Sequence, residues 1–427
     1  MMDTKEIAAL LVHISDWTLQ HKIGTGSIYD MPKEDMAVVE GASIFINDGI
    51  FINGNFARVL MCTYEITGEE AYLNEAKQWC DYLVYKAAKY IKTSKGNEGV
   101  WWWDFANHDI YLADTGTALH ALYKIYPYLD EKRKKDYLSV LEKFYLFVSE
   151  GCEHDPRRRC EQGSAGWIIK EGKDSGALGV GYLSEPVHPS EKGFGVGGGL
   201  GWLEMRPYTI STATVGAQTC SFLYKMTGNP VYRATALNAA NWLLNEFTEK
   251  GNIPYRIAGK VLEDFVFQGI HYSLEGLLTA WLFLDDDEYK RKLIKAAPSI
   301  MKFVLSVQNE DGYWGKARAY DGQRNAFLAH FLRWYYENVK KDAAANTACE
   351  KFVSYVLNPS NTYYYGVGNL IRVTGFVGLV FASMIYSELD IRNPDKKIPL
   401  LNYNINELRY IAQKWTSSPD QLQPRQK

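Results

Sequence analysis

Residues 96–105 read GNEGVWWWDF, and the same shape returns at 163–170 (GSAGWIIK), 251–260 (GNIPYRIAGK), 309–316 (NEDGYWGK) and 361–369 (NTYYYGVGN), with a looser copy at 24–31. Each copy is a turn carrying Gly and aromatic residues, and each leads into a helical stretch rich in small and apolar residues. One such unit cannot bury its apolar face alone and must stack on its neighbours. A unit of two helices recurring about six times therefore predicts a chain closed into a ring of helical hairpins.

The helical stretches on either side of these turns fall into two kinds. One is charged and amphipathic, with apolar residues three and four apart: 4–20, 70–92, 131–150, 230–248, 287–307 and 341–356. The other carries few charges and many small residues: 54–66, 113–126, 209–226, 271–284, 322–337 and 369–386. A helix apolar nearly all round must be covered on every side, so six charged helices alternating with six uncharged ones predict an all-α (α/α)6 barrel. The connections have a polarity. Inner helices pass to outer ones in a few residues, as at Thr67-Gly68 and Thr227-Gly228-Asn229, whereas outer helices reach inner ones through long segments such as 21–53, 93–112 and 151–208. Long loops held by a rigid scaffold are where function concentrates, so the end at which the inner helices begin is the expected working face. The positive ends of those helices' dipoles point into it.

The chain of 427 residues exceeds the usual size of one domain, but no Pro/Ser-rich or charged linker interrupts it. Residues 1–400 are read as a single barrel and 401–427 as a C-terminal helix with a polar tail. The residues are 47% hydrophobic and 14% aromatic, which supplies a sizeable core and leaves aromatics over for a binding surface. The net charge of -3, with both signs interspersed, speaks against a nucleic-acid partner. No apolar run reaches the ~18 residues of a membrane span, and the acidic N-terminal stretch is unlike a signal peptide, so the expectation is a cytoplasmic protein with no membrane partner. The six cysteines are scattered and read as small buried hydrophobes. Cys152 and Cys160 flank an Arg-rich turn, and bridging them would require an oxidising compartment.

This layout, with turns such as DGYWG, resembles the six-hairpin (α/α)6 toroid superfamily. That superfamily includes glycoside hydrolases, polysaccharide lyases and N-acylglucosamine 2-epimerases. The resemblance covers nearly the whole chain as architecture and implies an aromatic-lined, sugar-binding cleft at the long-loop end. Two families within it fit poorly: the Asp-Thr-Gly-Thr at 114–117 does not match the motif of unsaturated uronyl hydrolases, and the consecutive aspartates before a Trp-rich helix that α-1,6-mannanases use are absent. No single family is assigned.

The second long loop, VWWWDFANHDIYLADTG, is the segment densest in site chemistry, with Trp101, Trp102, Trp103, Asp104, His108 and Asp114. Indole faces stack on sugar C–H faces, and carboxylates bind hydroxyls or move protons. Asp114 has a competing role as the cap of a helix from Thr115 to Tyr126. If the Trp run is extended, neighbouring side chains face opposite ways and at least one ring should be exposed. The other loops supply Asp48, Glu204, Arg206, Tyr208, Gln268, His271, Trp314, Tyr320, Asp321, Arg324, Tyr364 and Arg372. His271 and Glu275, four apart, share a helical face. Asp48-Gly49 also reads as a simple turn, and the acidic run 285–288 as a solvated turn at the far end.

The reading is a carbohydrate-active enzyme acting on an oligosaccharide or glycoside, with no cofactor and no metal expected. A hydrolase needs two carboxylates, one to protonate the glycosidic oxygen and one to activate water or attack the sugar. Asp114 is the first choice for one, with Asp48, Asp104, Glu204 or Asp321 as the other. A lyase or epimerase would instead use Tyr208 or His271 as base and Arg206 or Arg372 to hold a uronate. A terpene-cyclase-like or purely binding toroid is the third alternative.

Overall fold

The structure is a computed structural model that describes residues 4–20, 50–103, 110–157, 163–182, 206–257, 260–262, 266–315, 326–359, 371–385 and 402–416. The outer helices are α1 (Thr4–Gln20), α3 (Glu70–Tyr82), α5 (Glu131–Glu150), α7 (Pro230–Glu246), α9 (Asp287–Ser306) and α11 (Ala343–Leu357). The inner helices are α2 (Ile50–Thr67), α4 (Leu112–Ile125), α6, α8 (Val266–Phe283), α10 (Phe327–Asn338) and α12 (Ile371–Ile385). Helix α6 runs through Thr209–Ser211, a π-helical segment Thr212–Thr219, and Cys220–Thr227. Inner helices touch in the order α2, α4, α6, α8, α10, α12, and α12 returns to α2, which closes the ring. Helix α13 (Ile405–Thr416) lies on α1, tied by Arg409 to Asp16 and by Lys5 to Glu407.

The small residues of the inner helices are there because the backbones approach closely. A Cβ on Gly54 of α2 would stand 2.7 Å from the Ala118 Cα of α4, and one on Gly116 would stand 2.6 Å from Thr214 of α6. Gly276 of α8 faces Ala213 of α6, and Gly378 of α12 faces Val59 of α2. The ring is therefore narrow.

The helix starts at the two ends of the ring are capped differently. At the short-turn end, Asp130, Asn229, Asp286 and Asp342 accept backbone N–H groups at the starts of α5, α7, α9 and α11. The acidic run 285–288 supplies one of these caps, and Asp285 pairs with Lys290. At the long-connection end, α4, α6 and α10 begin after Tyr111, Tyr208 and Ala326 with no side-chain cap. Their first turns thus keep donors turned toward that end.

The repeated turns share one geometry. Thr93, Thr248 and Asn309 each accept the N–H of a glycine three residues on: Gly96, Gly251 and Gly312. All three glycines have positive φ (86°, 85° and 102°), and a Cβ on Gly251 would fall 2.0 Å from the Ser299 carbonyl oxygen. Sequence analysis extended the outer helix of the second repeat to residue 92. It instead ends in a π turn at Leu83–Ala87, and Lys89–Lys92 pairs antiparallel with Glu98–Trp101. A further two-residue pairing joins Ile110–Tyr111 to Gly181–Tyr182, tying the second long connection to the third. Cys152 carries a free, buried thiol beside the Tyr182 hydroxyl, and Cys160 lies outside the described residues.

Candidate functional site at the mouth of the ring

The axis is crossed by a buried ion pair. Arg58 of α2 donates to Glu275 of α8 at 2.9 Å, and both side chains are almost wholly buried. In a ring of six these two helices stand opposite one another, so the pair spans the centre and forms a floor. His120 of α4 joins it. Its Nδ1 lies 3.5 Å from Arg58 and 3.8 Å from Glu275, while Nε2 faces the Thr214 carbonyl at 3.3 Å. Burial, then the neighbouring Arg58 charge, hold the His120 pKa well below the usual histidine value. The geometry fits a neutral ring that accepts from Arg58 at Nδ1 and donates to Thr214 from Nε2. His330 of α10 is also buried and is pushed down to about 4, chiefly by burial, with Glu275 pulling the other way. A second buried pair, Lys124 with Glu65, lies toward the short-turn end and is joined by the Tyr128 hydroxyl.

Above the floor, toward the long connections, buried polar groups lack partners. Both amide atoms of Asn55, the Oδ1 of Asn53 and the hydroxyls of Thr115, Ser211 and Ser273 make no hydrogen bond. All five residues are nine-tenths or more buried, and they lie in the first two turns of α2, α4, α6 and α8. An unsatisfied buried polar group costs ~1–3 kcal/mol. Such groups are uncommon in native proteins.

The residues singled out by sequence are distributed unevenly around this mouth. Asp114 sits in the first turn of α4, half-buried. The helix starts at Leu112 after Tyr111, so Asp114 lies inside it and is not its N-cap, which replaces the capping role considered from sequence. His271 lies one turn above Glu275 on α8, buried, with Nδ1 accepting the Phe327 N–H at 3.4 Å and the ring edge-on to Phe327 and Tyr272. Glu275, one turn below it on the same helix, pairs with Arg58. Tyr208 is buried with its hydroxyl against those of Tyr111 and Tyr255. Burial, then these two phenols, push its pKa well above the usual value. Arg206 is exposed just before α6.

Of the aromatic candidates, Trp102 and Trp314 are core residues rather than sugar platforms. Both are fully buried and donate their indole N–H to the outer helix before them, at Leu83 and Val304. Trp101 is also buried, and Trp103, half-buried, packs edge-on against it at 4.7 Å. No ring of the Trp run is fully exposed, so the expectation of one exposed face is met only by the half-buried Trp103. Asp48, Asp104, His108, Glu204, Tyr320, Asp321, Arg324 and Tyr364 lie outside the described residues. Gln268 and Arg372 fall on α8 and α12 at positions whose side chains lie outside them too. Sequence reasoning missed Arg58 and His120. The signal was present: Arg58 is the one basic residue within α2, and a charge in a helix buried along its whole length needs a partner inside. Among the described residues no group of three or more His, Cys, Asp or Glu is placed to hold a metal ion. No helix among them is long and apolar enough to cross a membrane.

No protein-family model matches the sequence, and no curated protein does. Solved structures do match. A sugar epimerase from a ruminal bacterium aligns with a TM-score of 0.58 at 13% identity, over 91% of this chain and 100% of that one. A glycosyl hydrolase of family 88 from Bacteroides vulgatus gives 0.55 at 14% identity, over 90% and 99%. The GH76A α-1,6-mannanase of Salegentibacter sp. HEL1_6, in an inactive variant in complex with α-1,6-mannotriose, gives 0.53 at 13% identity, over 90% and 100%. With six inner helices closed into a ring inside six outer ones, these likenesses along nearly the whole chain establish its fold as the six-hairpin (α/α)6 toroid.

Proposed function

We propose that the protein is a carbohydrate-active enzyme that works at the mouth of the ring, most simply a glycoside hydrolase with Asp114 as one of its two carboxylates. The observation that supports this best is the setting of Asp114. It is a half-buried carboxylate in the first turn of an inner helix, at the end where buried Asn, Ser and Thr groups lack partners. Uncharged donors and acceptors in a recess suit a polyhydroxylated ligand, and a carboxylate at the rim suits proton transfer to or from its glycosidic oxygen. Asp48, Asp104, Glu204 and Asp321 are the candidates for the second carboxylate. A lyase or epimerase would instead use Tyr208 or His271 as its base, with Arg206 or Arg372 to hold a uronate.

Incubating the wild type with a panel of oligosaccharides and measuring released reducing ends tests the hydrolase reading. Asp114→Asn should lower the rate by at least 100-fold, in line with the loss of a general acid or base, while the fold stays intact by circular dichroism. A lyase would be recognised instead by a product absorbing in the near ultraviolet, and an epimerase by solvent deuterium entering recovered sugar. Full hydrolysis by Asp114→Asn would remove that residue from the reaction.

A further inference from the structure

We propose that the mouth is a blind well whose floor receives the terminal unit of an uncharged saccharide, with Asn55 as its direct contact. This rests on the reading of the mouth as a saccharide site and goes beyond it in saying how the ligand enters, which end is held and what charge it carries.

The depth follows from the floor. Arg58 and Glu275 meet across the axis from opposite inner helices, and His120 packs against both, so a ligand entering from the long-connection end stops there. Asn55 is three residues before Arg58 on α2, hence on nearly the same face and one turn nearer the mouth. It is 1% exposed, and neither its amide oxygen nor its amide nitrogen has a partner. An amide offers two donors and an acceptor, which matches the hydroxyls of a sugar and leaves an apolar ligand unserved. The charge of the ligand follows from the ion pair. The Arg58 guanidinium is already engaged by Glu275, so the floor presents no uncompensated cation to a uronate. A closed floor with a polar contact directly above it holds the end of a chain rather than its middle.

The test separates this inference from the reading beneath it. Saturation-transfer NMR with glucose, mannose, galactose, N-acetylglucosamine and glucuronate is run on the wild type, Asn55→Leu and Asn55→Ser. At least one neutral monosaccharide should bind the wild type and glucuronate should not. Asn55→Leu should weaken that binding by at least 10-fold while its melting temperature stays level or rises, since a buried amide without partners is exchanged for an apolar group of similar size. A purely structural Asn55 would give a lower melting temperature and unchanged affinity, which overturns the inference and leaves the saccharide site standing. Asn55→Ser guards against a folding defect in the Leu variant and should also lose affinity at an unchanged melting temperature. Preferential binding of glucuronate overturns the inference, as does unchanged affinity in both variants. No binding by any of the sugars to the wild type overturns it together with the reading on which it rests.

Discussion

At the scale of single residues, the centre of the ring is held by charges that cannot be changed one at a time. Removing one partner of a buried ion pair strands the other, so Glu275→Ala should cost ~3–5 kcal/mol in urea denaturation, while Arg58→Met with Glu275→Leu should recover most of it. His330 adds a pH dependence. Its pKa is about 4 in the folded protein and near 6.5 when unfolded, so between those values the unfolded chain binds the extra proton. That share of stability is complete above pH ~6.5 and is lost as the pH falls toward ~4, by on the order of 3 kcal/mol. Urea midpoints across that range should fall less steeply for His330→Leu than for the wild type, and equal slopes would show that His330 is not buried as a neutral ring.

At the scale of elements, the glycine turns and the buried tryptophans are the repeating parts. Gly251→Ala meets both a positive φ and the Ser299 carbonyl 2.0 Å from the new Cβ, whereas Gly228→Ala meets a positive φ and open space. Gly228→Ala should therefore cost ~1 kcal/mol and Gly251→Ala clearly more, read from denaturant midpoints. The helices and their two kinds were legible because burial acts on every third or fourth residue and leaves a period in the sequence. Capping in the short turns left no such period: the acidic run 285–288 reads as a solvated turn, and Asp286 within it caps α9. The chemistry of Trp102 and Trp314 was not legible. An indole beneath a loop and an indole facing a sugar have the same sequence neighbourhood, and only the N–H bonds to Leu83 and Val304 distinguish them. The Arg58–Glu275 pair was hidden for another reason: its partners are 217 residues apart and meet only when the ring closes.

At the scale of the molecule, ring closure depends on α12 reaching α2, and α13 clamps α1 from outside through Asp16, Arg409 and the Tyr72 hydroxyl. Truncation before residue 402 should lower the melting temperature by several degrees, read by differential scanning calorimetry. The polarity of the ring ties the account together, since one end is short-turned with capped outer helices while the other carries the long connections, the uncapped starts of α4, α6 and α10 and the unpartnered Asn53, Asn55, Thr115 and Ser211. A crystal structure of the inactive Asp114→Asn variant with a bound oligosaccharide tests that polarity most directly. The account predicts the sugar at the mouth, one end toward Asn55 and a glycosidic oxygen within hydrogen-bond reach of residue 114. The second carboxylate should then lie at ~5–5.5 Å for a retaining enzyme or ~6.5–9.5 Å for an inverting one. An oligosaccharide bound at the short-turn end, or on the outer helices with the mouth empty, would contradict it.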